Sequence, residues 1–507
     1  MKNKNRTIKK IKKIKEKKHK TRRYPIDVSD KYLKLLTNTT DESLNLYMKK
    51  LTFKKPAKDK EINVTWDFMK LREGILKKIS PNIYSWYHEN TSSCGNSTFI
   101  AIEAYKKLKV ISNYFNRNKE FSFDRNIFLH SNELGVSEFK CKCPFFTAPY
   151  GCASEYGGES NEIKTMLGTI KAGGIYTMAC FTEYNVEYLS NLLKKNTTEQ
   201  NPFYMFQLYL TGDNDINISL IERAKICGAS VLMITVDTGF NNHGGIGLLE
   251  NQSDLSFGRK YCGNLLDDPV FNIKCFKEKK CIGTKDKTVL GIVSENLNIP
   301  INNLVSLYNF TDSFDYAKYI QGNGMGNVNV TNENDKEYDL SLKNISKICH
   351  SSKSLCKYVK RDIKKGIPMI VKGCVSVENA MMIQKSGADG VYVSNHGGRF
   401  LYNSVAPLNV VKDIRDAVKK ANKNFGVWLD GGIRNGQDIL TAYSQGAEFV
   451  GLGRPIIYSC VLYGEEGVSS ITKKFKFELE SQSQICGYNN LNDYNKLKKC
   501  IIPEECR

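Results

Sequence analysis

The chain has 507 residues, 41% of them apolar, and a formal net charge of +21. That apolar share supports a sizeable core, and no apolar run approaches the ~20 residues that cross a bilayer, so a soluble protein without a membrane span is expected. The charge is unevenly placed: residues 1–23 hold thirteen Lys or Arg, from Lys2 to Arg23, against the single acid Glu16, so the basic balance describes an appendage rather than the fold.

Residues 1–60 are Lys-rich and polar and read as a disordered or loosely helical extension. A solvated tail, nuclear targeting, and binding to an acidic surface or nucleic acid are its alternative uses. A mitochondrial leader fits less well, since such leaders are Arg- and Ser-rich. The Glu505-Cys506-Arg507 terminus is not a Ser-Lys-Leu address. No apolar secretion segment is present, so a cytoplasmic location is expected, and the sixteen scattered cysteines, without a Cys-x-x-Cys pair, read as reduced thiols.

Residues 61–143 read as helices, such as Trp66–Ile79 and Thr98–Leu108, leading into a core spanning 61–490. Eight strand candidates follow: Pro144–Pro149, Ile175–Cys180, Tyr204–Tyr209, Val231–Asp237, Pro368–Gly373, Gly390–Ser394, Gly426–Gly431 and Phe449–Arg454. Several are continuous apolar runs, as strands buried on both faces are. Helical stretches separate them: Ser160–Ala172, Val186–Leu193, Ile216–Cys227, Val377–Ser386, Val410–Ala421 and Gly436–Gly446. Gly173, Gly228, Gly387 and Gly446 sit where C-caps belong. Eight such units predict an α/β TIM (β/α)8 barrel, with an open doubly wound sheet as the alternative. Lys372 follows Thr235 by 137 residues, which leaves a polar insertion at 256–345 between the fourth and fifth strands. Residues 491–507 read as a C-terminal tail.

Polar residues collect where these strands end: Pro149-Tyr150-Gly151, Gln207 with Tyr209, Thr235 with Asp237, Lys372, Ser394 to Arg399, Asp430 to Arg434, and Gly453-Arg454. In a parallel barrel these endings share one rim, where barrel active sites lie. His396 and Arg399 are three residues apart on a glycine-rich turn. A base beside a guanidinium suits removal of a proton from a substrate whose carboxylate the arginine holds. Gly431-Gly432-Ile433-Arg434 and Gly453-Arg454 follow the seventh and eighth strands, the loops from which barrels build phosphate sites. Lys372 closes the apolar run Ile370-Val371, where a cation is costly without a negative neighbour. A structural ion pair and a Schiff-base lysine are the alternatives there. Asp237 reads as support for His396 or as a loop cap, and Tyr209 as a substrate donor or a core tyrosine.

Val393-Ser394-Asn395-His396-Gly397-Gly398-Arg399 resembles the active-site signature of the FMN-dependent 2-hydroxy-acid oxidases and dehydrogenases. The resemblance runs from about residue 80 to about 490 and includes Leu-Asp-Gly-Gly-Ile-Arg, Gly-Arg-Pro, Gln-Leu-Tyr, Thr-Val-Asp-Thr and Val-Lys-Gly in the family's order. It implies that His396 is the base, Asp237 its support, and Arg399 and Tyr209 the substrate's anchors. It implies that Pro149, Tyr150, Gly151, Gln207, Thr235, Lys372 and Ser394 line the isoalloxazine and ribityl of FMN, with Lys372 at the pyrimidine edge. Asp430, Gly431, Gly432, Arg434, Gly453 and Arg454 would take the ribityl and phosphate end. The implied reaction is oxidation of an (S)-2-hydroxy acid to a 2-oxo acid, with electrons passed to dioxygen or an external carrier. A homo-oligomer is implied too, as family members are often tetramers, and no metal is.

Departures from the family pattern fall around the substrate. Trp86 stands where the family has a tyrosine, and Ala179 and Phe181 where it has a serine and a tryptophan. Gly239 and Gly244 follow Thr238 without the family's proline and second arginine, and Phe400 and Tyr402 replace a glutamine and an aspartate. A barrel that binds FMN without turnover, and an FMN-dependent isomerase, are therefore the alternative functions.

Overall fold

The structure is a computed structural model, and it describes residues 67–84, 96–113, 120–131, 135–158, 160–199, 202–210, 214–237, 263–266, 268, 366–499 and 501–503. All of them belong to the unit Pro56–Arg507. The basic extension, most of the insertion, Trp86, Gly239 and Gly244 lie outside the described residues.

The strands among the described residues are β1 Leu108–Val110, β2 Arg125–Ser131, β3 Gly135–Cys141, β4 Phe145–Thr147, β5 Thr177–Met178, β6 Met205–Leu208, β7 Val231–Thr235, β8 Met369–Cys374, β9 Gly390–Val393, β10 Gly426–Leu429, β11 Phe449–Leu452 and β12 Ile501–Pro503. β4 to β11 form one eight-stranded sheet in the order β4-β11-β10-β9-β8-β7-β6-β5. The paired strands run parallel, and a Phe146–Ile175 bridge with a 2.9 Å bond from the Thr147 amide to the Ile175 carbonyl closes the ring. This is the expected TIM barrel, with each strand inside its expected segment or one residue beyond it.

The strands are short apolar runs because both faces are covered. Phe146, Tyr392, Trp428 and Phe449, from four strands, meet across the interior with ring centroids 4.8–6.5 Å apart. Each side chain buried this fully contributes roughly 1.5–3 kcal/mol. The connecting helices start on side-chain caps: Asn185 accepts from the Tyr188 amide, Ser376 from Asn379, and Asn435 and Asp438 form a capping box. Their predicted terminal glycines all have positive φ, from 64° at Gly173 to 102° at Gly446.

Two parts differ from the helical reading of 61–143 and from the tail reading of 491–507. Helices occupy Phe68–Lys78, Pro81–Tyr84 and Asn96–Lys106, but β2 and β3 then form an antiparallel hairpin. Ile127 and Leu129 are buried while Phe128 between them is 40% exposed, so the hairpin has one wet face. Arg125 anchors it, bonding the carbonyls of Glu448 and Leu491. The chain end is paired as well, with β12 antiparallel to β1. Of the insertion, Gly263–Leu266 and Asp268 are described, and Asp268 is fully buried against Arg223 and Ser219 on the helix Asn214–Cys227.

Candidate active site

Because the strands are parallel, their C-terminal ends meet at one rim and surround one cavity. Pro149, Tyr150 and Gly151, Gln207 and Tyr209, Lys372, His396 and Arg399, Asp430 to Gly432 with Arg434, and Gly453 with Arg454 all line it. Asp237, Thr235 and Ser394 do not. They stand behind the lining: Gln207 Nε2 donates to the Thr235 hydroxyl at 3.1 Å, and the His396 amide donates to Ser394 Oγ at 3.0 Å.

The turn that carries His396 is held in an unusual backbone shape. His396, Gly397 and Gly398 have φ of 56°, 68° and 76°. Side chains rarely adopt that left-handed region, though histidine does so more readily than most. Asn395 fixes the turn by accepting from the Gly398 amide at 3.0 Å, and a Cβ on Gly398 would lie 2.7 Å from Ser97 Cβ. Arg454 Nη2 donates to the Gly397 carbonyl at 2.8 Å.

This shape sets the imidazole against Asp237, with Nδ1 2.6 Å from Oδ1. A single proton on Nδ1 leaves Nε2 as the basic nitrogen, and none of the described hydrogen bonds uses Nε2. The sharp approach of Asp237 depends on Gly373, where φ is 113°, the β8–β9 register shifts, and an added Cβ would lie 2.4 Å from Asp237 Cβ. Burial pushes the His396 imidazole below its ordinary value, to about 4, with Lys372 and Arg399 adding to the push and Asp237 opposing it. Burial alone raises the Asp237 carboxyl, but His396 and Lys372 outweigh it and hold Asp237 below the usual carboxylate range. At neutral pH the ring is thus an uncharged base beside a carboxylate.

At the other end of the cavity the groups are cationic. Arg434 Nε and Nη2 are buried without a hydrogen-bond partner, while its Nη1 bonds the Ile433 carbonyl at 2.7 Å and its face covers the Phe68 ring at 4.1 Å. Burial first, then neighbouring Arg454, pulls the Arg434 guanidinium down to about 10. Two partly buried guanidiniums that repel each other are costly without an anion. A phosphate dianion would supply acceptors and charge there. Asp430 Oδ1 is likewise buried and unmatched, an acceptor suited to a hydroxyl. Gly432 lets the loop lie against the helix Asn96–Lys106, since a Cβ there would lie 2.2 Å from the Ala101 carbonyl oxygen. These residues fit the phosphate and ribityl of FMN.

Sequence reasoning did not single out Cys152 or Tyr156, which also line the cavity. Cys152 turns the chain through a left-handed φ of 55° into the short helix Ala153–Gly157, which aims Tyr156 inward. Such a turn on a non-glycine residue leaves no sequence signal. Phe181 stacks on Tyr209 at 5.2 Å, and Phe400 meets the His396 ring edge-on at 4.8 Å. Tyr402, at the other departure, is 49% exposed.

Comparison with known proteins points the same way. Residues 101–499 match the family described as FMN-dependent dehydrogenase. An L-lactate oxidase of Lentilactobacillus hilgardii is 25% identical over 370 residues, covering 73% of this chain and 78% of that protein. A 2-hydroxyacid oxidase of Dictyostelium discoideum is 27% identical over 352 residues, 69% of this chain and 71% of that one. Among solved structures, a mandelate oxidase mutant with a C4a-hydroxy-FMN adduct superposes with a TM-score of 0.57 at 18% identity, covering 83% of this chain and 96% of that one.

Proposed function

Because the chain belongs to the FMN-dependent dehydrogenase family, we propose that it oxidises a small (S)-2-hydroxy acid, lactate- or glycolate-like, to the 2-oxo acid. The observation that carries this reading is the 2.6 Å His396–Asp237 pair beside Arg399 on the rim of one cavity. FMN supplies the two-electron acceptor. Arg399 pairs with the substrate carboxylate, and Tyr209, whose hydroxyl burial keeps protonated, donates to it. So held, the substrate presents its reacting carbon to His396. Nε2 takes the proton, and the resulting imidazolium is stabilised by Asp237. Gln207 and Lys372 would line the flavin ring, and Arg434 and Arg454 would hold its phosphate, since all four line the same cavity. Electrons then leave to dioxygen or an external carrier, and oxygen uptake with peroxide release distinguishes the first from the second.

The pH dependence of turnover tests this assignment. The base must be unprotonated, so kcat/KM for (S)-lactate or glycolate is expected to fall on the acid side only near pH 4. An acid limb at the ordinary imidazole value of about 6.5 would refute it. The same burial has a stability cost. Between about 6.5 and about 4 the unfolded imidazole holds a proton that the folded one refuses. This group therefore lowers stability as pH falls through that window.

A further inference from the structure

Lys372 sits beside both members of the His396–Asp237 pair. Its Nζ lies 3.4 Å from Asp237 Oδ2 and 3.4 Å from His396 Nδ1, and it is almost fully buried. Nδ1 already faces Asp237 Oδ1 at 2.6 Å, and an ammonium accepts no hydrogen bond. Toward a ring protonated on Nδ1, Lys372 therefore acts by charge alone. It neutralises part of the carboxylate that would hold an imidazolium, and it repels the imidazolium directly. The remaining charged neighbours do not replace it: Arg399 faces His396 from its own turn, and Asp430 faces Lys372 from the end of β10. The glycine bulge at Gly373 fixes the geometry, letting Asp237 approach while the strand carries Lys372 inward.

We propose that Lys372 is a positioning residue for the base: by sharing Asp237 with His396 it weakens the carboxylate's hold on a second ring proton and so sets how strongly Nε2 takes a proton. Any group that draws the ammonium away from Asp237 then makes Nε2 more basic, and protonation of His396 favours that group in return. A negative charge at the flavin edge is such a group, so flavin and base are coupled through one side chain. This rests on His396 being the base.

The readout is a titration without turnover, so its failure is distinct from failure of the proposed reaction. The His396 signal of the full-length protein, identified by its loss in His396→Gln, is followed by NMR against pH with FMN bound and with FMN removed. In Lys372→Met the proton affinity of His396 is expected to rise by about tenfold or more, the effect of one charge at this range. Lys372→Arg is expected to stay near the wild-type value. Lys372→Gln carries the same expectation as Lys372→Met should the latter not fold. A neutral variant titrating with the wild type in both flavin states would overturn the proposal.

Discussion

Replacing His396 by alanine is expected to lower kcat/KM for the hydroxy acid by about 10⁴-fold, near the upper end of what a positioned base contributes, while FMN remains bound. The reason is geometric. His396 is the one histidine among the described residues that line the cavity, and Arg434 and Arg454, which would hold the flavin phosphate, come from other loops. Alanine at a φ of 56° adds its own difficulty, because a left-handed backbone suits histidine and asparagine better. His396→Asn controls for that: it tolerates the turn and still cannot act as a base, so it should lose activity equally. Flavin absorbance during gel filtration reports whether the cofactor stays. Activity within tenfold of wild type in both variants would remove His396 from the mechanism.

The second large effect is on the cofactor. Arg434→Met is expected to weaken FMN binding by about 10–100-fold, as loss of a charge-assisted pair does. Methionine keeps the apolar cover on Phe68, which the guanidinium face now provides at 4.1 Å. It also removes a buried cation whose Nε and Nη2 have no protein partner. Without FMN, the variant should therefore unfold at the same temperature as wild type or higher. With saturating FMN the order reverses, because the wild type gains more from its ligand. Thermal melts with and without FMN read both signs. Equal FMN affinity in the two proteins would show that the phosphate lies elsewhere.

The barrel was legible because its strands are buried on both faces, which leaves apolar runs such as Val231–Thr235 and Gly390–Val393 with glycine-ended helices between them. The hairpin β2–β3 was less so. Its buried Ile127 and Leu129 alternate with polar or exposed neighbours, a period-two signal that its Lys- and Phe-rich surroundings obscure. The rim was legible for a topological reason: parallel strands bring all their C-terminal ends together, so polar endings add up to a site. Depth was not. Thr235, Ser394 and Asp237 end strands like the others, yet their hydrogen bonds draw them behind the lining, and only tertiary contacts decide that. Gly373 shows what a sequence motif conceals. Its glycine is needed because Asp237, 136 positions earlier in the chain, occupies the space of a side chain.

Whether this barrel holds FMN and passes electrons to it from a 2-hydroxy acid is read from the absorbance spectrum of the purified protein without oxygen, before and after addition of (S)-lactate, glycolate and longer 2-hydroxy acids. The protein is expected to be yellow, with a flavin band that bleaches with at least one of them and fails to bleach in His396→Asn. A yellow protein that no hydroxy acid bleaches would contradict the reaction, and a colourless one that FMN cannot restore would contradict the cofactor site.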